Sequence, residues 1–268
     1  MATRHLLLAV ALVAAACTKN APAPAAPMLS LFGSGWPNEP SGVRMLTNWG
    51  LDQAPPAGDD VAIPGSGGWR VVNGSDSALA GARVDLRQDP TARFSPPGVY
   101  ELVYPEGMVE GRAPATVYYP NLNAREVFAG FWWKTSKPFD LGPNGNKIAF
   151  LFNGGGDRGG QQFIALLPDG RLHVLLEYRD DVSWRHPNVS ATRVTLGEWH
   201  QIEWHVDLDA GLLQWWLDGE LQGSHQDVRN PIPFDMFQFS PTWGGNSGAR
   251  KRETDRYWFD HVYLSARR

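Results

Sequence analysis

Cysteine is almost missing from this chain. Cys17 is the only one in 268 residues, so no disulfide can form within a single copy. No apolar run is long enough to span a bilayer as a helix: Leu6 to Ala16 is the longest, well short of the roughly 18 residues required. Metal-ligand spacing is missing too, with no His-x-x-x-His pair and no Cys cluster, so no metal is expected from spacing. Lys and Arg are scattered and the formal net charge is −4. Without a basic tract, nucleic acid is not an expected partner. Apolar residues beyond the N-terminus do not recur at three- and four-residue spacing, which excludes a helical fold. No internal repeat is present.

What the chain does have is aromatic and turn-forming: 12 Trp, 29 Gly and 21 Pro. With 43% hydrophobic and 19% charged residues it can bury a large core and is not disordered in composition. That balance describes a turn-rich β protein.

The N-terminus reads as a targeting segment. Arg4 and His5 precede the apolar stretch, which has secretory length. The run Ala14-Ala15-Ala16-Cys17 resembles a bacterial lipoprotein signal. The resemblance implies removal of residues 1–16, lipidation of the Cys17 thiol, and a membrane-anchored place in the bacterial cell envelope, on the outer membrane or a periplasmic face. Residues 17–30 alternate Ala and Pro, a composition that favours an extended tether. Residues 31–268 are left for one folded domain.

Within that span, period-2 alternation predicts strands over 99–104, 126–134, 147–153, 161–167, 172–178, 200–208 and 212–217. Pro168-Asp169-Gly170-Arg171 and Asp209-Ala210-Gly211 are hairpin turns between neighbours. Short strands with regular turns predict a β-sandwich. Residues 31–95 are less legible and read as outer strands and long loops of the same domain.

Four pieces of the last third form an ordered signature: Gly197-Glu198-Trp199-His200, Trp215-Trp216-Leu217-Asp218-Gly219, Trp243-Gly244-Gly245-Asn246 and Tyr257-Trp258-Phe259-Asp260. Their order resembles the concanavalin A-like jelly rolls. With Pro97-Gly98-Val99, Tyr104-Pro105-Glu106-Gly107 and Lys147-Ile148-Ala149, residues 95–265 are similar to the jelly-roll polysaccharide lyases, of the alginate and glucuronan type, and to their lipoprotein relatives. The resemblance implies an all-β concanavalin A-like jelly roll with a polysaccharide as partner. In the lyases a concave sheet supplies a Lys, a Ser and Arg pair, and two Tyr. Lys147 falls where that Lys would be. Gln161 and Phe163 stand in place of Ser and Arg, and Leu175 and Glu177 in place of the tyrosines. The usual tyrosine base of β-elimination is therefore missing, and His173 or Tyr178 would have to replace it.

Alternation assigns faces. Lys147, Ala149, Leu151 and Asn153 are expected on one side of their strand, with Ile148, Phe150 and Phe152 in the core. Arg171, His173, Glu177 and Arg179 share one side of the next hairpin. The expected ligand-binding groove thus carries Lys147, Gln161, Arg171, His173, Glu177 and Arg179. His205, Trp216 and Trp243 join it as further contacts, since Trp offers a flat apolar face with a polar edge. Trp184-Arg185-His186 is a loop cluster of the kind that carries function. Asp207 and Asp209 form a weak Asp-x-Asp, the one hint of a structural calcium; no other cofactor is expected.

Three functions follow: an envelope-anchored lipoprotein that recognises a polysaccharide, a lyase acting on a uronic-acid polymer, and a structural envelope protein with no glycan ligand. For the lyase the candidates are Lys147, His173 and Tyr178. His173 and Glu177 are the only titrating pair there, about 13 Å apart along one strand. The Glu-x-Asp-x-x-Glu strand of a retaining glucanase is absent, which argues against hydrolysis.

Overall fold

The computed structural model describes residues 36–75, 79–94, 97–154, 159–178 and 181–268. Cys17, the targeting segment, the tether and Arg179 lie outside the described residues.

Sixteen strands follow in order: β1 (Arg44–Trp49), β2 (Gly58–Ala62), β3 (Arg70–Asn73), β4 (Arg83–Gln88), β5 (Gly98–Tyr104), β6 (Ala115–Ala124), β7 (Glu126–Thr135), β8 (Asn146–Asn153), β9 (Gln161–Leu166), β10 (Leu172–Tyr178), β11 (Asp181–Arg185), β12 (His200–Asp207), β13 (Leu212–Leu217), β14 (Glu220–His225), β15 (Phe234–Phe239) and β16 (Asp255–Arg267). There is no α-helix among the described residues. The strands form two eight-stranded antiparallel sheets. Sheet A runs β14-β13-β12-β7-β16-β5-β4, with β1 also paired to β16; sheet B runs β11-β10-β9-β8-β15-β6-β3-β2. The less legible region supplies β1 and β4 to sheet A and β2 and β3 to sheet B.

Alternation accounts for the core. Val127, Ala129, Phe131 and Trp133 of β7 and Ile202, Trp204 and Val206 of β12 point inward from sheet A. Ile164, Leu166, Leu172, Val174 and Leu176 point inward from sheet B. Each large apolar side chain so buried contributes on the order of 1.5–3 kcal/mol. A polar bond also joins the sheets, Trp215 Nε1 donating to the Leu172 carbonyl at 3.2 Å, and Tyr104 Oη of sheet A donates to the carbonyl of Pro241, in the loop after β15, at 2.8 Å. Eight of the twelve tryptophans are buried; Trp36, Trp132, Trp184 and Trp258 keep part of their surface in solvent.

One strand departs from strict alternation. The β8–β9 register shifts between Lys147 and Ala149. The extra residue of a bulge inverts the faces that follow it. Ile148, Ala149 and Leu151 therefore all enter the main core, whereas Phe150 and Phe152 join the outer side with Lys147. The expected placement of Ala149, Phe150, Leu151 and Phe152 is reversed, while Ile148 and Lys147 lie where alternation put them. Asn153 is fully buried, and its Nδ2 donates to the Ile232 carbonyl at 2.8 Å.

Candidate functional site

The outer face of sheet B carries the site. Cross-strand register builds one continuous row over it. Trp184 pairs with Leu175, Leu175 with Phe163, Phe163 with Phe150, and Phe150 with Gln238. Tyr118 and then Arg70 continue the row. Its first half is apolar and its second half polar. Phe150, Phe163 and Ala165 form a small outer cluster of their own, flanked by Phe152, Leu167, Leu175 and Trp184. The Trp184 ring stands edge-on to Phe163, centroids 5.9 Å apart.

The adjacent row holds Lys147, Ala165 and His173, since both Lys147 and His173 pair with Ala165. Lys147 lies over the aromatic floor. Its Nζ is 4.5 Å from the Phe163 ring centroid and 5.9 Å from that of Phe150, distances at which a ring quadrupole attracts a cation. No ion pair or hydrogen bond to the Lys147 ammonium occurs among the described residues. Burial lowers its pKa, opposed by the charge of Glu177. Glu177 is itself engaged, accepting a hydrogen bond from Gln161, its cross-strand partner.

Lys147 opens into a depression of about 250 Å³ bounded by Phe163, Leu175, Trp184, Asn144, Gly244, Gly245 and Asn246. Its rim is stitched to β8: Lys147 N donates to the Thr242 carbonyl and Gly244 N to that of Gly145, both at 2.9 Å. Glu110 holds the loop from behind, accepting from Gly245 N at 2.9 Å. Gly244 has φ +68°, and a Cβ there would meet Glu110 Cβ at 2.7 Å, so the loop needs glycine at that point.

At the end of the second row His173 is buried, with both ring nitrogens occupied. Nε2 meets the Asp169 carboxylate at 3.1 Å, and Nδ1 meets Nδ1 of His186 at 2.8 Å. Burial lowers the His173 pKa, with Asp169 opposing. Arg171, the residue before β10, is half-buried and also acts against a charge on His173.

The other expected residues lie elsewhere. His205 and Trp216 sit on the outer face of sheet A, on the opposite side of the sandwich from Lys147. Both are buried there; His205 Nε2 lies 3.1 Å from Glu126. They are not part of the groove. Trp243 is 1% exposed, and its Nε1 donates inward to the Asp140 carbonyl at 2.7 Å. It supports the rim from below and offers no face to a ligand. Tyr178 points into the main core, so it cannot serve as a base in the groove. The Asp207 carboxylate accepts the backbone NH groups of Asp209 and Ala210, and Asp209 pairs with Arg125 at 2.7 Å. No group of three or more His, Cys, Asp or Glu suited to a metal occurs among the described residues.

Sequence reasoning missed Asn144, the aromatic floor of Phe150 and Phe163, and the contact between His173 and His186. Only the isolated Trp184-Arg185-His186 cluster signalled part of this.

No protein-family model matches the sequence, and no curated protein is significantly similar to it. Solved structures are similar in fold. A cellulose-induced protein, Cip1, superposes with TM-score 0.52 at 18% identity, over 74% of this chain and 90% of its own. A conserved carbohydrate esterase of the Shiga toxin-encoding bacteriophage phi24B gives TM-score 0.51 at 14% identity, over 85% of this chain and 100% of its own. A sialidase gives 0.51 at 12% identity over 75% of this chain, which spans only 17% of the sialidase. These likenesses and the two packed antiparallel sheets establish an all-β jelly-roll sandwich, the expected fold class.

Proposed function

We propose that this protein recognises a polysaccharide on the outer face of sheet B, as a lipoprotein tethered through Cys17 at the bacterial cell envelope. The observation that carries the reading is Lys147: a partly desolvated ammonium with no ion pair or hydrogen bond to it among the described residues, set in an aromatic-walled depression. A desolvated cation of this kind favours an anionic group, since burying a charge without a partner is costly. Trp184 and Leu175 supply apolar surface for a sugar ring, and Asn144 and Asn246 supply donors and acceptors at the rim. The fold likeness to a carbohydrate esterase supports the same reading.

Binding is the better-supported activity. The groove positions opposite Phe163 and Gln161 are Leu175 and Glu177, neither of them a tyrosine base. His173 has both nitrogens engaged. The test is binding of the purified protein to alginate, heparin and a neutral β-glucan, run beside an assay for unsaturated uronate absorbance. Binding to an acidic polymer with flat absorbance is expected. A steady absorbance rise that is lost in Lys147→Ala would replace recognition by lyase activity. No binding to any polymer would sink the glycan reading.

A further inference from the structure

A second depression lies where β1 meets the end of β16 on sheet A. It holds about 420 Å³ and is lined chiefly by Arg44, Met45, Leu46, Arg267 and Arg268. It shares no residue with the depression at Lys147. Register explains its shape. The β1–β16 pairing shifts between Met45 and Thr47, which leaves Leu46 as an extra residue packed toward the core. Arg44 pairs with Ala266, a core residue, and Met45 with Ser265, so the two leave the strand on opposite sides. Both are exposed, and Met45, at 58%, is one of three large apolar side chains so exposed among the described residues.

The charge at this end runs against that of the whole chain, which is −4. Arg267 is tied down, its Nη1 2.9 Å from Glu126 and its Nη2 donating to the Ser41 carbonyl at 2.9 Å. Arg125 lies beside it, its backbone NH on the Arg267 carbonyl at 3.2 Å and its guanidinium on Asp209 at 2.7 Å. Both nearby acids are therefore taken. The Arg44 and Arg268 guanidinium groups make no ion pair or hydrogen bond among the described residues. Two surplus cations thus flank an exposed methionine at one depression. That combination fits an anionic interface: guanidinium forks onto phosphate oxygens, and an apolar side chain enters the layer beneath them.

We propose that this end is a docking surface for anionic lipid headgroups of the anchoring membrane, with phosphate as the recognised group. The choice of a bilayer rests on the proposed lipidation at Cys17. Trp36 follows Cys17 by 19 positions and is held on sheet A by Gly130 and His261. The chain then runs along β16 to the depression, since Tyr263 bonds Glu39 and Arg267 bonds Ser41. His261 and Arg267 are six residues apart on that strand, or roughly 20 Å. A 19-residue segment spans at most roughly 65 Å extended and roughly 25 Å as a coil, so the depression is within reach of the bilayer. One arginine at an anionic surface strengthens binding only about fivefold. Two are too few to recruit a free protein, but a tether raises the effective headgroup concentration, and a weak contact then sets orientation. Docking leaves the depression at Lys147 uncovered, because that one opens on sheet B.

The test couples the full chain through Cys17, its only thiol, to a maleimide lipid in nanodiscs, so native lipidation is not required. The discs hold phosphatidylcholine alone or an equal mixture with phosphatidylglycerol, each doped with a gadolinium-chelate lipid. NMR of the methionine methyl groups reads which side chain approaches the headgroups, with Met236 of sheet B as internal control. Broadening at Met45 beyond that at Met236 is expected only with phosphatidylglycerol, and it should fade as salt rises. Arg44→Gln and Arg268→Gln should each lower the docked-to-undocked ratio about fivefold. Neither removes a polar side-chain contact among the described residues, so the fold is kept. Equal broadening in both discs, or no change in the double variant, would overturn the docking surface. So would an equal Met45 response to inorganic phosphate or to alginate without discs, which would assign the depression to a soluble anion or to the glycan. Docking as expected, in a protein whose Cys17→Ser form keeps its mass and its membrane fraction in cells, would sink the anchor and leave the surface standing. Loss of docking beside normal release of Cys17→Ser would do the reverse.

Discussion

Trp36 packs on Gly130, and the fit is possible only because Gly130 has no side chain. A Cβ at Gly130 would lie 2.4 Å from Trp36 Cδ2. The indole also stacks on His261, centroids 5.5 Å apart. Asn38 then binds Glu203 twice, through its backbone NH at 3.0 Å and its Nδ2 at 3.1 Å, and Tyr263 donates to Glu39 at 2.7 Å. Residues 36–39 thus strap the outer face of sheet A, opposite the candidate site. Gly130→Ala should displace Trp36 and cost about 1–3 kcal/mol, the range for overpacking a filled site. Urea denaturation read by tryptophan fluorescence checks this; an unchanged midpoint would show that the strap contributes nothing.

Lys147 sets the polarity of the opposite face. Affinity for an acidic polymer should fall as salt rises, because a half-buried charge is still partly screened. Lys147→Ala should lower that affinity about tenfold and flatten the salt dependence, in keeping with the loss of one charged contact. The measurement is calorimetric or surface binding at two salt concentrations. Equal salt dependence in the variant would remove Lys147 from the site.

His200 links stability to pH. Burial works against its charged form, but the Asp218 carboxylate at 2.7 Å and the Thr195 carbonyl prevail, so its pKa is raised. A raised folded-state pKa stabilises fully below the unfolded value of about 6.5, and the contribution is lost as pH rises through the folded value. Wild type should therefore exceed Asp218→Asn in urea midpoint most at about pH 5, and less at about pH 8. Asn tolerates the left-handed backbone of Asp218, at φ +52°, so the substitution tests the charge and not the turn. A gap that widens with rising pH would contradict the linkage.

Cys17 is the proposed anchor. Cys17→Ser should shift the protein from the membrane fraction to the soluble one, or leave it with its first 16 residues uncleaved. Fractionation and intact mass read both results; unchanged mass and membrane association would end the lipoprotein reading.

The sequence by itself determined most strands and the outward face of β10. Period-2 alternation at Leu172–Tyr178 correctly set His173 and Glu177 apart from the core, because a strand without bulges keeps its parity. The turn at Pro168–Arg171 was legible because Gly170 takes φ +78° and the Asp169 carboxylate accepts the Arg171 NH at 3.0 Å. Tertiary structure decided the rest. One bulge after Lys147 turned Phe150 and Phe152 outward, and its position depends on pairing with β9, not on local pattern. His205 and Trp216 have the same polar-face pattern as His173, yet they belong to the other sheet, since strand neighbours are chosen by hydrogen bonds between distant segments. The meeting of His173 with His186 is also a product of register. Thirteen residues separate them in sequence, and only the β10–β11 pairing brings their rings together.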